Sequence, residues 1–160
     1  MLQTTYKLGS IFTAIVQTQD NRINTSVASS QIRHLFKFTN DMDKSVQYAY
    51  SLAELLYDRY SMFTFVYFTP NVFFGFINFL PVGYWKYEVY EVAWATGETV
   101  ILDADHAPQT ETQFLGITNG VVQGLVTKGK MYVSPEEGEE QVQYVERESP
   151  ASTNYIYQGE

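Results

Sequence analysis

Hydrophobic and polar residues alternate with a period of two along much of the first hundred positions, the spacing of half-buried β-strands. Ile11 to Gln17 reads as a first strand, ending at the polar run Gln19-Asp20-Asn21. In Gln31 to Thr39, Ile32, His34, Phe36 and Phe38 fall on one face, Arg33 and Lys37 fall on the other, and Leu35 lies between them. Asn40 to Asp43 is a turn, because Asn and Asp tolerate its backbone angles. Val46, Tyr48 and Tyr50 then alternate with Gln47 and Ala49. Tyr60 to Phe68 and Val72 to Leu80 are apolar on both faces, the pattern of central strands or of strands covered by a partner. After a turn at Pro81-Val82-Gly83, Tyr84 to Val92 sets Trp85, Tyr87 and Val89 against Lys86 and Glu88. One segment competes for helix: in Ser51 to Tyr57, Leu52, Leu55 and Leu56 match i, i+3, i+4. Two turns of helix need tertiary support, so this stretch is read as a connector with one helical turn at most.

Short strands at about ten-residue spacing, with turn signals between them, predict an all-β fold: an immunoglobulin-like β-sandwich over residues 1–95, with an open barrel as the alternative. Its predicted core contains Phe36, Phe38, Tyr48, Trp85, Tyr87 and Val89. Residues 96–160 have a weaker pattern. Thr99 to Asp103 is a possible strand, and Ala104 to Thr118 has little period. Gly116, Gly120, Gly124 and Gly129 punctuate a meander that leads into the short strand Met131-Tyr132-Val133. Pro135 to Glu140 is an acidic turn, Val142 and Tyr144 alternate with Gln141 and Gln143, Ser149 to Asn154 is a linker, and Tyr155-Ile156-Tyr157 closes the chain. Such a segment buries little surface on itself. It is expected to be an extended, hairpin-rich arm completed by strand addition to a neighbouring surface. Its interface candidates are Tyr132, Val133, Val142, Tyr144, Tyr155, Ile156 and Tyr157.

Charge supports this division. The 160 residues carry a net charge of −8, and all of it lies in residues 96–160, where three basic groups meet eleven acidic ones. An acidic chain lacks the basic footprint that phosphate binding requires, so nucleic acid is not an expected partner. Cysteine is absent, which removes disulfides, a thiol nucleophile and Cys-ligated metals. The most apolar stretch, Met62 to Val82, has the length of a membrane span but is broken by Pro70, Asn71, Gly75, Asn78 and Pro81, so no membrane partner is expected. The N-terminal residues have no long apolar run of the signal-peptide kind, which fits synthesis in a cytoplasm.

Side chains suited to catalysis or metal binding are few. His34 lies on the apolar face of a predicted strand and reads as a packed histidine. Asp103-Ala104-Asp105-His106 has three polar side chains but no calcium-loop pattern following it, and reads as a solvated acidic loop. There is no G-x-S-x-G elbow and no phosphate-binding glycine loop. The carboxylate pairs Asp41/Asp43, Glu136/Glu137 and Glu139/Glu140 all lie in turn-like stretches, away from the burial that separates catalytic pKa values. No catalytic residue, metal or cofactor is therefore assigned. Tyr84, Trp85, Tyr87 and Tyr90, with Phe73, Phe74, Phe76 and Phe79, are candidates for a sugar-stacking platform, but packing is the favoured reading.

Leu35-Phe36-Lys37-Phe38-Thr39-Asn40-Asp41-Met42 and Gly83-Tyr84-Trp85-Lys86-Tyr87-Glu88-Val89-Tyr90-Glu91 resemble recurring stretches of small virion proteins of tailed bacteriophages. Gly129-Lys130-Met131-Tyr132-Val133, Gln143-Tyr144 and Tyr155-Ile156-Tyr157 are similar to the ends of such proteins. The resemblance implies a non-enzymatic virion component: a capsid decoration (auxiliary or cement) protein bound to the major capsid protein, with a head–tail connector or tail protein as the alternative. A carbohydrate-binding module is the third reading, carried by the aromatic residues alone.

Overall fold

The computed structural model describes residues 1–136, which are all-β, with two sheets and no α-helix. The strands are β1 (Leu2–Thr5), β2 (Ile11–Val16), β3 (Ile32–Asn40), β4 (Val46–Tyr50), β5 (Ala53–Leu56), β6 (Ser61–Tyr67), β7 (Phe76–Ile77), β8 (Gly83–Ala93) and β9 (Val121–Ser134). The larger sheet has the order β1-β9-β8-β3-β4, with β1 parallel to β9 and the other pairs antiparallel. The smaller sheet has the order β2-β6-β5, and β7 pairs in parallel with the end of β6. Among the described residues no helix is long and apolar enough to cross a membrane.

Alternation explains why the sheets meet face to face. Phe36 and Phe38 of β3, Trp85, Tyr87 and Val89 of β8, and Met131 and Val133 of β9 point inward from the larger sheet. Phe12, Ala14 and Val16 of β2, Phe63, Phe65 and Tyr67 of β6, and Ile77 and Phe79 meet them from the other side. The aromatic rings interlock edge to face: Phe36 lies 4.9 Å from Phe63 and 5.0 Å from Phe65, and Phe38 lies 4.7 Å from Phe79. Such pairs add about 0.5–1.5 kcal/mol each beyond area burial. This core takes six of the eleven Phe but only two of the thirteen Tyr, Tyr67 and Tyr87.

Several sequence expectations are corrected. A strand, β1, precedes Ile11; it adds to β9 and is short enough to carry little pattern of its own. Ala53 to Leu56 is a strand rather than a helical connector, because β6 offers it an edge and Glu54 is drawn inward to His34. In Val72 to Leu80 only Phe76 and Ile77 are strand; the preceding residues turn through Gly75, whose added Cβ would lie 2.5 Å from the Leu52 nitrogen. Thr99 to Asp103 forms no strand. The glycine-spaced meander is one 14-residue strand, β9, with two register shifts against β8. Gly129 is required by close approach rather than by a turn, since its Cβ would sit 2.6 Å from the Tyr87 hydroxyl.

The expected boundary near residue 95 therefore does not separate a sandwich from an arm. β9 lies inside the larger sheet, between β1 and β8. Residues 94–120 form a strand-free strap across the outer face of that sheet. Val100, Leu102 and Ala107 cover Leu35, Tyr50, Val92 and Trp94. The Tyr50 hydroxyl donates to the Pro108 carbonyl at 2.6 Å, and Lys37 pairs with Glu111 at 2.8 Å. Tyr48, expected in the core, is instead half-buried under this strap, where its hydroxyl donates to Glu111 at 2.5 Å. Burial pushes the Glu111 carboxyl up, but its bonds to Lys37 and Tyr48 outweigh this and hold it below the usual range.

The buried tyrosines give a pH prediction. Tyr67 is wholly buried and its hydroxyl pairs with Thr4 at 2.9 Å; burial pushes it up to about 12. A raised folded value stabilises the fold fully below the unfolded value near 10 and loses that contribution as pH rises from 10 through 12. The loss from Tyr67 alone approaches about 1.4 kcal/mol per pH unit in that window. Tyrosinate absorbance is expected to lag free tyrosine, then rise together with loss of β circular dichroism. Simple titration of all tyrosines near pH 10 with the fold intact would contradict this placement.

Candidate functional site

The outer face of the smaller sheet is the most unusual surface of the molecule. Antiparallel sheets with one solvated face normally alternate hydrophobic-in and polar-out. Here the inward residues of β2 and β6 are buried, yet the outward ones are also uncharged. Register places them in three rows: Ile11, Val66 and Phe76; Thr13, Thr64 and Ala53; Ile15, Met62 and Leu55. Phe68 and Phe74 flank Phe76, at ring distances of 5.4 and 6.0 Å. Among the described residues nothing covers this face: Ile11 is 66% exposed, Ile15 54%, Leu55 52%, Phe68 51% and Phe74 56%. Single exposed apolar residues are ordinary, but a contiguous apolar array marks an interaction site.

Local sequence explains the array. β2 reads IFTAIV and β6 reads SMFTFVY, with no charged residue in either. The charged groups nearest in sequence, Lys7, Asp20, Asp58 and Arg59, lie in the connections beyond the strand ends. The two threonines in the central row supply hydroxyls without charge. This is the composition of an interface centre, where charge is depleted and aliphatic and aromatic groups are kept. The two-sided apolar character of Tyr60 to Phe68 is the sequence signal for it. The contribution of β5 was hidden by its helix-like leucine spacing.

The residues singled out for chemistry are used in holding the fold. His34 is buried; its Nδ1 lies 2.8 Å from Glu54, its backbone N–H also reaches that carboxylate at 3.3 Å, and its ring packs edge-on to Phe63. Since His34 is on β3 and Glu54 on β5, the pair ties the two sheets together. Directly across the ladder from His34, Glu91 is buried and accepts the backbone N–H groups of Ile23 and Asn24 at 3.1 and 2.7 Å, anchoring the β2–β3 loop. Asp103 accepts from the backbone N–H of Asp105 and His106, and the His106 ring lies 2.6 Å from it, a local turn. Among the described residues no group of three or more His, Asp or Glu is placed to hold a metal ion.

The aromatic platform is dispersed. Phe79, Trp85 and Tyr87 lie in the central core, Phe73 stacks on Tyr50, Phe74 and Phe76 lie on the outer face of the smaller sheet, and Tyr84 contacts Tyr132 at 4.9 Å. Of the interface candidates, Val133 is wholly buried in the chain's own core because β9 is an interior strand, and Tyr132 is half-buried on the opposite face. Val142, Tyr144, Tyr155, Ile156 and Tyr157, with the acidic residues after Glu136, lie outside the described residues. No protein-family model, curated protein or solved structure matches the chain.

Proposed function

We propose that the chain is a non-enzymatic structural subunit of a tailed-bacteriophage virion, a capsid decoration protein seated on the major capsid protein. The observation that carries this reading is the uncharged outer face of the smaller sheet, whose exposed residues match the composition of subunit interfaces. Docking through β2, β6 and β5 would give the two-sided apolar strands the cover that the described residues do not supply. Repetition over a symmetric shell would turn a modest contact into firm retention.

The same proposal includes an immunoglobulin-like architecture. Strand order supports it: β2, β6 and β5 occupy the places of strands B, E and D, while β9, β8, β3 and β4 occupy those of G, F, C and C′. The chain departs from true immunoglobulin domains in lacking the inter-sheet disulfide, and its two buried tryptophans, Trp85 and Trp94, lie on and just after the F-like strand. In this reading Val142, Tyr144, Tyr155, Ile156 and Tyr157 contact neighbouring subunits.

Quantitative mass spectrometry of the virion encoded by the same genome tests the assignment. Hundreds of copies per particle are expected, on the outside of the shell. About a dozen copies or fewer, clustered at the portal vertex, would move the chain to the neck or tail, and none at all would end the virion reading.

A further inference from the structure

β9 leaves part of one edge open. On one side it pairs with β8, whereas on the other β1 covers only Met131 to Ser134, and Asn21 reaches the Val126 carbonyl at 2.9 Å. Among the described residues no strand lies beside Thr127 to Lys130 on that side. Open strand edges present unpaired backbone groups to any second strand.

The charge of this edge is out of keeping with an acidic protein. Lys128 and Lys130 are exposed and, two residues apart, project from the same face. Lys130 is directly opposite Lys86 across the ladder, an unfavourable like-charge pair. Among the described residues Lys86 is relieved only by Asp41, at 3.8 Å. Glu88, opposite Lys128, is bonded instead by the Tyr90 hydroxyl. Among the described residues neither Lys128 nor Lys130 has an ion-pair partner. The two strands border a recess of about 430 Å³ here.

We propose that this edge receives the segment Glu137-Gly138-Glu139 of a second copy of the chain, added as a strand beside Lys128-Gly129-Lys130. The two tripeptides have the same pattern with opposite sign, K-G-K against E-G-E. At period two, both glutamates would face both lysines across one ladder, and such opposite-charge pairs stabilise a sheet. The donor is another copy for a geometric reason. Lys130 lies four residues back along β9 from Ser134, about 13 Å at the rise of a strand. Glu137 lies only three residues beyond Ser134, a reach of about 10 Å, and β1 occupies the edge in between. An edge and a donor segment at different places make a head-to-tail contact, which closes into a ring or propagates. The inference does not require a capsid and stands apart from the docking face.

Sedimentation of the full chain at low ionic strength tests it. The wild type is expected to self-associate, and less so as salt screens the pairs. Lys128→Glu with Lys130→Glu, and separately Glu137→Lys with Glu139→Lys, should each weaken association about tenfold, the effect of a few unfavourable charge contacts. Thermal melts close to wild type would show that both chains are folded. Mixing the two variants should restore association, because each tail then meets an edge of opposite sign. The proposal is overturned if the concentrated wild type is a monomer at low salt, if either variant associates like wild type, or if the mixture stays as dissociated as its components. It also fails if a short DNA strand binds the lysines more tightly than a peptide of residues 135–141.

Discussion

Trp85→Ala should unfold the protein, or nearly so, rather than abolish recognition of a ligand on a stable scaffold. Trp85 is fully buried in the middle of the larger sheet, between Asn40 on β3 and Met131 on β9. Its ring lies 5.1 Å from Phe79, and its indole N–H donates to the Pro81 carbonyl at 3.1 Å. Truncating a buried tryptophan costs about 3–5 kcal/mol, against a total of about 5–15 kcal/mol for a typical domain. Urea titration should show a midpoint moved to much lower denaturant, or no folded baseline. Trp85→Phe, which keeps most of the volume, should lose less. An alanine variant as stable as wild type that no longer bound glycans would restore the sugar-stacking reading and contradict the packing seen here.

The parts of the fold that could be read from sequence are those where large apolar side chains alternate with charged ones. β3 and β8 alternate cleanly because Phe36, Phe38, Trp85, Tyr87 and Val89 enter the core while Lys37, Lys86 and Glu88 remain outside. The misread parts answer to tertiary contacts that leave no periodic trace. The leucines of Ser51 to Tyr57 mimic a helix, but a short segment takes the structure its neighbours offer, and the edge of β6 and the imidazole of His34 both require a strand. The glycines before and within β9 suggest turns, whereas Gly120 and Gly129 make room for the rings of Trp94 and Tyr87. The strap over Leu35 and Tyr50 buries Ala107 and partly buries Val100 and Leu102, whose spacing follows an irregular backbone and matches no template. The apolar outer face of the smaller sheet is half visible in the sequence: β6 is apolar on both sides, but only the register with β2 and β5 aligns its outward residues into rows.

Those rows predict the second large effect. Thr64 is the central residue of the array, flanked by Thr13 and Ala53 across the sheet. Thr64→Glu places a carboxylate where the isolated chain can still hydrate it, so the fold should survive with a change in stability of about 0.5 kcal/mol. Once docked, the same carboxylate would be desolvated with no cation among the described residues of the face to pair with it, and an unpaired buried charge costs several kcal/mol. Retention on the shell should therefore fall by about a hundredfold or more, since each 1.4 kcal/mol is tenfold in affinity. Thr64→Val supplies the contrast, because it keeps the shape and removes only the hydroxyl, so binding should hold or tighten. Particles assembled with each variant, counted by mass spectrometry, separate the cases. If Thr64→Glu is incorporated at the wild-type copy number, the exposed apolar rows are not the surface that holds this subunit in place, and the virion proposal loses its principal support.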